Sequence, residues 1–152
     1  MTDQGEIEVE VSVADDVESP VDPARIEAVV RHALREEGVD EAEISIALLG
    51  DDEIAQLNQE YLDHEGPTDV ITFALHDAGA GEPPLGDVYV GVEQARRQAA
   101  EFGATPAEEV LRLAVHGTLH VLGYEHPEGD GRVESEMFTR QEALLRSFLA
   151  TG

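Results

Sequence analysis

Three histidines lie within the eleven residues "HGTLHVLGYEH", at positions 116, 120 and 126, in a chain that has six histidines. Residues four apart on a helix share one face, so His116 and His120 would project their imidazoles side by side, as two ligands of one ion must. Gly123 stands where a glycine can end a helix and turn the chain back, which would bring His126 toward the same point. The spacing therefore predicts a metal site held by His116, His120 and His126.

The types of ligand indicate which metal the site would hold. The chain has no cysteine, so thiolate ligands are excluded and the three nitrogens favour one Zn²⁺ per chain. Three protein ligands leave a fourth coordination position for water, which is typical of a catalytic site. The alternative is three ordinary histidines, one or two of them buried and hydrogen-bonded and one on the surface, and this spacing makes it the weaker interpretation.

Gly117 bears on the reaction that such a metal would serve. The spacing H-x3-H-x2-G-x2-H is also that of the metzincin proteases, whose motif has a glutamate directly after the first histidine as general base. The residue at that position here is Gly117. A metalloprotease without its base would be severely handicapped, so a metzincin-like protease is the least favoured hypothesis.

The hydropathy pattern predicts a sheet packed with helices. Alternating or continuous apolar runs predict strands, and apolar residues at helical spacing between caps and breakers predict helices. We expect one α+β domain over residues 1–152, α/β-like in its layers, with a single mixed sheet of about four strands, about five helices and the metal site at the end of a helix. The predicted strands cover 6–14, 42–50, 66–75 after a turn, and 86–92; the helices cover 23–38, 51–62 with Asp51 as N-cap, 93–102, 106–122 with Thr105 as N-cap, and 132–149.

The charge is extreme, with 34 acidic residues against 9 basic ones and a formal net charge of −25. At low ionic strength such a chain repels polyanions, but at molar salt the Debye length is only about 3 Å. We interpret the acidity as adaptation to a high-salt cytoplasm, and a melting temperature that failed to rise between ~0.1 M and ~3 M KCl would contradict this. No run approaches the ~18 apolar residues of a membrane span, and the first residues do not resemble a signal peptide, so we expect a cytoplasmic protein.

The segment "HGTLHVLGYEH" resembles the signature H-G-x-L-H-L-x-G-Y-D-H of the YbeY family, bacterial metal-dependent endoribonucleases. Three further blocks resemble the family in the family's order, and the four together cover most of residues 44–149: "LNQEYLDHEGPTDVITFAL", "LGDVYV" and "ESEMFTRQEALL". The resemblance implies that His116, His120 and His126 are both zinc ligands and catalytic residues. It implies a zinc-dependent, single-strand-specific endoribonuclease that acts in 16S rRNA 3′-end processing, rRNA maturation and ribosome quality control. Ribosomal RNA and the ribosome or its assembly proteins would be the partners, with no role for a membrane.

The chain departs from the family pattern at two positions. The family has an arginine after the tyrosine of the first block, a residue type suited to gripping phosphate, and Leu62 aligns with it here. Glu125 replaces the aspartate before the last histidine. Arg96, Arg97 or Arg112 could supply the missing cation. Otherwise the chain would be a catalytically weak, ribosome-associated assembly or binding factor, which we retain as the second hypothesis.

Three carboxylate or hydroxyl residues near the motifs have two possible roles. Thr68 and Asp69 are expected either to cap backbone N–H groups in a turn or, by the resemblance, to line the cleft. Asp87 is expected to be either a turn residue or a carboxylate that orients a ligand histidine through its second nitrogen. The sequence also leaves open whether water or the RNA 2′-OH attacks the phosphate.

The remaining residues of interest are expected to be structural. Asn58 and Tyr61 are predicted to pack and hydrogen-bond, and the other three histidines, His32, His64 and His76, to lie at the surface. The predicted core includes five apolar residues: Phe73, Val88, Leu113, Val115 and Leu119.

Overall fold

The computed structural model describes residues 6–76, 83–124 and 131–151. These residues form four strands and five helices, as predicted, and none of the described helices is long and apolar enough to cross a membrane. In chain order the elements are β1 (Ile7–Val13), α1 (Pro23–Glu36), β2 (Ala42–Leu49), α2 (Asp51–Leu62), β3 (Val70–His76), β4 (Leu85–Gly91), α3 (Val92–Phe102), α4 (Pro106–Val121) and α5 (Gly131–Thr151). The predicted α+β class is confirmed.

The four strands form one mixed sheet in the order β1-β2-β4-β3. β1, β2 and β4 are parallel, with Val9 opposite Ile44 and Ile46 opposite Val88. β3 runs antiparallel to β4 at the edge, where Thr72 lies opposite Val88. Val88 thus stands at the middle of the sheet, between its neighbours on both sides.

One face of the sheet carries the main core. In β2, Ile44, Ile46 and Leu48 are buried, whereas Ser45 and Ala47 between them are only half-buried, so successive side chains lie on opposite faces. Helix α4 contacts β3 and β4 directly, and α1, α3 and α5 all contact α4. Because α4 is enclosed on several sides, ten of its sixteen residues are buried. The predicted ligands therefore project from a helix whose position the rest of the fold determines.

The predicted ends of α4 are confirmed. The Thr105 hydroxyl oxygen accepts a hydrogen bond from the Glu108 N–H at 3.1 Å, and Pro106 begins the helix. After the helix, Gly123 has a φ of +107°, a conformation that favours glycine. The chain therefore turns sharply just after His120.

Two glycines allow α4 to approach β4 closely. A Cβ atom at Gly117 would lie 2.4 Å from Cγ1 of Val88, and one at Gly86 would lie 2.7 Å from Cγ2 of Val121. These distances are far shorter than van der Waals contact. Position 117 faces the sheet and has no room for a side chain, which is the physical reason why the protease-type glutamate cannot stand there.

The prediction that Asp51 caps α2 is wrong. The cap is Gly50, and Asp51 is the first helical residue. Its carboxylate instead accepts two hydrogen bonds from Arg97, at 3.0 and 3.1 Å, and its N–H donates to Glu93 Oε1 at 2.9 Å. Contacts from α3 therefore satisfy the start of α2.

The prediction that Phe73 belongs to the core is also wrong. Its half-buried ring lies edge-on to Tyr61 and Tyr89, with centroid distances of 5.6 and 5.9 Å. Tyr89 follows Val88 in β4 and therefore lies on the face of the sheet opposite α4. The other four predicted core residues are buried: Val88, Leu113, Val115 and Leu119.

We predict that Gly117→Ala destabilises the protein by about 1–3 kcal/mol, because the added methyl group would collide with Val88. The steric cause is tested by a double-mutant cycle with Val88→Ala, measured by urea unfolding. Removing the Val88 methyl groups should make room for the new one, so the double variant should be more stable than the sum of the two single effects predicts. Effects that add to within about 0.5 kcal/mol would contradict the collision.

Candidate metal centre

The structure brings two of the three predicted ligands together. His116 and His120 are half-buried near the end of α4, with ring centroids 4.7 Å apart and ring planes 79° from parallel. The Gly123 N–H donates to the His120 carbonyl at 3.0 Å, and the Tyr124 N–H donates to the Leu119 carbonyl at the same distance, which closes the helix end. His126 lies outside the described residues, so its place as third ligand stays a prediction.

A buried glutamine orients the ring of His116. Nδ1 of His116 lies 2.7 Å from Oε1 of Gln141, and the Gln141 amide nitrogen donates to Glu142 Oε2 at 3.0 Å. Since the amide nitrogen is used on the carboxylate, the amide oxygen faces the ring and accepts a hydrogen from Nδ1. This assigns the Nδ1–H tautomer to His116, and Nε2 is then the nitrogen that could bind a metal.

Glu142, which holds that glutamine, is itself held by Arg112. Arg112 Nε and Nη2 donate to the two Glu142 oxygens at 2.7 and 3.2 Å, and Nη1 donates to Glu109 at 2.7 Å. Burial works against ionisation of Glu142, but the hydrogen bonds from Arg112 and Gln141 outweigh it and lower the pKa of this carboxyl. Burial likewise opposes the charge of Arg112, and the hydrogen bonds to Glu142 and Glu109 raise its pKa nonetheless. The pair stays ionised, so the support of His116 is fixed.

The ring of His120 is oriented by the backbone. Its Nδ1 lies 3.0 Å from the Tyr124 carbonyl oxygen, which can only accept, so Nδ1 carries the hydrogen and Nε2 is again the nitrogen that could bind a metal. Tyr124 is anchored in turn by its hydroxyl, which donates to Glu37 at 2.8 Å, and Arg140 also donates to Glu37. Burial, followed by this bond to Glu37, raises the pKa of Tyr124.

These contacts fit a metal ion of the zinc type. Two imidazoles lie on one helix face, and each uses Nδ1 on a protein oxygen, the arrangement that metal-binding histidines commonly have. Imidazole nitrogens suit zinc and its transition-metal neighbours more than magnesium or calcium. The donor set of His116 and His120 therefore agrees with the predicted ion.

A cavity of about 440 Å³, the histidine cleft, opens beside the two imidazoles. Leu62 lies in it and is 43% exposed, and Asp69 brings a carboxylate to it. Of the two residues with alternative roles, Asp69 lines the cleft and Thr68 does not; the Thr68 hydroxyl donates to Asp69 at 3.4 Å. The lining residues are Leu62, Asp69, Val70, Ile71, Thr72, Ala74, His116, His120 and Tyr124.

A second cavity of about 490 Å³, the phenylalanine cavity, adjoins the histidine cleft. It shares Asp69, Val70 and His116 with the cleft and extends between α3, α4 and α5. Its lining residues are Asp69, Val70, Phe102, Ala104, Glu109, Arg112, Leu113, His116, Met137, Phe138, Gln141 and Glu142.

The three candidate arginines do not replace the missing family cation in the histidine cleft. Arg96 donates to the Glu18 carbonyl at 3.0 Å, and Arg97 is paired with Asp51. Arg112 is near His116 but is used by Glu142 and Glu109. Within residues 6–76, 83–124 and 131–151, no arginine lines the histidine cleft.

The other sequence-predicted residues take structural positions. Asp87 lies on the face of the sheet opposite α4 and orients neither imidazole; Gln141 and the Tyr124 carbonyl do so instead. Asn58 is buried and donates to the Gly66 carbonyl at 3.0 Å, as expected. His32 Nε2 lies 2.7 Å from Ser147 Oγ.

Two other histidines, His64 and His76, are also predicted to lie at the surface. His64 is exposed and does not line the histidine cleft. The side chain of His76 and the whole of Glu125 lie outside what the structure describes.

Sequence reasoning missed Gln141, although one signal was available. Met137, Leu144, Leu145 and Phe148 form the buried stripe of α5, and Gln141 lies within that stripe and is only 5% exposed. A polar residue inside an apolar stripe needs a buried partner. This pattern predicts that Gln141 has a buried hydrogen-bond partner, but it does not identify His116 as that partner.

Comparisons with known proteins agree with this fold and these motifs. A family model described as "Endoribonuclease YbeY" matches residues 9–149. A protein of that name from Bacillus licheniformis is 42% identical, with 82% of this chain and 84% of the relative covered. Another from Salinispora tropica is 39% identical, with 93% and 97% covered. The solution structure of TM1509 from Thermotoga maritima has a TM-score of 0.66 over 94% of this chain and 90% of that chain; at 24% identity it supports the fold alone.

We predict that the contribution of Glu142 to stability depends on pH. A lowered folded-state pKa means that the stabilisation is present above the ordinary carboxyl value of 4.5 and is lost as pH falls through the folded value. The difference in unfolding free energy between wild type and Glu142→Gln should therefore be largest at neutral pH and shrink on acidification. Urea unfolding from about pH 7 to about pH 3 measures it. Glu60→Gln, at an exposed position of α2, is the control, and a Glu142→Gln difference that stayed constant across this range would contradict the prediction.

Proposed function

Because the chain belongs to the Endoribonuclease YbeY family, we propose that it is a zinc-dependent endoribonuclease that cuts single-stranded RNA. The observation that carries the proposal is the paired orientation of His116 and His120, each holding its Nδ1 on a protein oxygen. We further propose that the substrate is ribosomal RNA in the cytoplasm, in 16S rRNA 3′-end processing, rRNA maturation and ribosome quality control. The family's motifs in this chain support this choice.

The proposed ligands are Nε2 of His116 and His120, together with His126. A zinc ion held by them supplies Lewis-acid charge to the phosphate that is being cleaved. Gln141 and the Tyr124 carbonyl hold the two imidazole rings in fixed orientations, so little reorganisation is needed when the ion binds.

Asp69 is the proposed proton acceptor. Position 117 faces β4 and has no space for a base, so the base must come from elsewhere in the cleft. Asp69 is the one carboxylate among the described lining residues of the histidine cleft. A carboxylate there can take the proton of the attacking oxygen, whether that oxygen belongs to water or to the RNA 2′-OH. Leu62 and Val70 give part of the same cleft an apolar lining.

The test compares cleavage of a ribosomal RNA fragment at high KCl by wild type, wild type with EDTA, His120→Ala and Asp69→Asn. We expect about one zinc per chain in wild type, and loss of cleavage with EDTA and with His120→Ala. Asp69→Asn should keep the zinc and lose cleavage. His32→Ala removes a histidine outside the site and should retain both.

Metal affinity gives a readout independent of cleavage. Gln141→Leu should weaken zinc binding roughly 10- to 100-fold in a chelator competition, because the ring of His116 loses its acceptor. Gln59→Leu, at an exposed position of α2, is the matched control. Cleavage that survives EDTA, or zinc binding that is indifferent to both His120→Ala and Gln141→Leu, would overturn the proposed zinc enzyme.

One observation favours a second candidate, a ribosome-associated assembly or binding factor that cleaves weakly. Leu62 lies in the histidine cleft at the position that aligns with the family's arginine, and no described arginine lines that cleft. Leu62→Arg should raise the cleavage rate roughly 10- to 100-fold, the range that one hydrogen bond to a charged group provides. Leu149→Arg adds the same charge on α5 and should leave the rate near that of wild type. An unchanged rate in Leu62→Arg would show that this position does not limit the reaction.

A further inference from the structure

The phenylalanine cavity is a second concave site that the proposed zinc chemistry does not use. Its volume of about 490 Å³ falls in the usual range of ligand pockets, roughly 300–1,000 Å³. It shares His116 with the histidine cleft. A molecule bound across both would therefore place one part at the imidazoles and a neighbouring part in the phenylalanine cavity.

Two phenylalanines expose their rings at this cavity. Phe102, at the end of α3, is 74% exposed, and Phe138, on α5, is 60% exposed. Single exposed apolar residues are ordinary, but these are two of only four phenylalanines in the chain and both line the same cavity. Solvent-exposed rings offer π-faces on which a flat aromatic group can stack.

The charge of the cavity selects against phosphate. Arg112 lines it but is paired with Glu142 and Glu109, which also line it, so the two carboxylates outnumber the one cation. A phosphate would meet acidic groups there, whereas an uncharged aromatic ring would not. In an RNA strand the part that fits these conditions is the base.

We propose that the phenylalanine cavity holds one nucleobase of the RNA strand, stacked on Phe102 or Phe138, while the adjacent phosphate lies at His116. This proposal rests on the proposed function for the position of the phosphate. Stacking on aromatic side chains accepts any base, because every base has a π-face. The cavity would therefore hold the strand without selecting a particular sequence.

Stacking also suits the charge of this protein. Phosphate contacts release counterions and weaken steeply with salt, and the cavity has no unpaired cation among its described lining residues. A stacked base has no such dependence. The affinity contributed by the cavity should therefore change little between low and high KCl.

The test uses the fluorescence of one introduced tryptophan. The protein has no tryptophan, so Phe138→Trp introduces a single indole at the cavity. Titration with a six-nucleotide RNA, in EDTA to prevent cleavage and at high KCl, should quench the indole emission. The same RNA with an abasic nucleotide at each position in turn should lose the quenching at one position.

Variants at the two rings measure the affinity. By fluorescence anisotropy of a dye-labelled copy of this RNA, Phe102→Ala and Phe138→Ala together should raise the Kd roughly 5- to 150-fold, the effect of losing one stacked base. Phe138→Tyr retains a ring and should bind as wild type does. Leu149→Ala, an exposed apolar residue on the same helix, should leave the Kd unchanged.

Three results would overturn the proposal: quenching by all abasic RNAs, a wild-type Kd in the double alanine variant, or a dimer in sedimentation that Phe138→Ala dissociates, since a second copy would then occupy the cavity. Because binding is measured without metal, its outcome is separate from the cleavage test. Base stacking without cleavage would leave this inference standing and defeat the nuclease. Cleavage together with a Kd that the two phenylalanine substitutions do not change would support the nuclease and defeat this inference.

Discussion

The close contact of α4 with β4 is the constraint on which the site depends. Gly117 lies directly against Val88, and Gly86 lies similarly close to Val121. A helix at this distance cannot slide or rotate without a collision, so the contact fixes which residues of α4 face the sheet and which face the cleft. His116 and His120 lie on the face of α4 that lines the histidine cleft. The residue that denies the chain a protease-type base is thus the residue that allows its helix to pack.

The two imidazoles are supported by similar devices from different parts of the chain. His116 is oriented by Gln141, which an ionised carboxylate and arginine of α5 and α4 hold in place. His120 is oriented by the Tyr124 carbonyl, and that tyrosine is tied through Glu37 at the end of α1 to an arginine of α5. In each case an arginine forms an ion pair with a carboxylate of the same chain, Arg112 with Glu142 and Arg140 with Glu37. With only nine basic residues in the chain, this use leaves few cations for binding nucleic acid.

Most of the element order was predictable because it depends on local signals. The alternation in β1, the Thr105–Pro106 start of α4 and the glycine after its end are each readable within a few residues. Phe73 was placed wrongly because periodicity gives two faces of a strand but not which face the helices cover. Asp51 was placed wrongly because its carboxylate pairs with Arg97, 46 residues away. The histidines were found from spacing and resemblance, whereas Gln141 depends on how α5 packs against α4, which no local pattern encodes.

The end of α4 has an electrostatic consequence for the ions that surround the protein. The last turn of a helix carries a partial negative charge of about half an elementary unit from its aligned peptide dipoles. His116 and His120 lie close to that end, so the helix itself attracts cations toward them. Alkali ions in a concentrated salt solution are attracted as well, but they prefer oxygen ligands and bind imidazole nitrogens only weakly. The electrostatic potential at the helix end attracts every cation, but the imidazole nitrogens bind only those cations that accept nitrogen ligands. The salt ions that screen the acidic surface therefore do not compete for binding at His116 and His120.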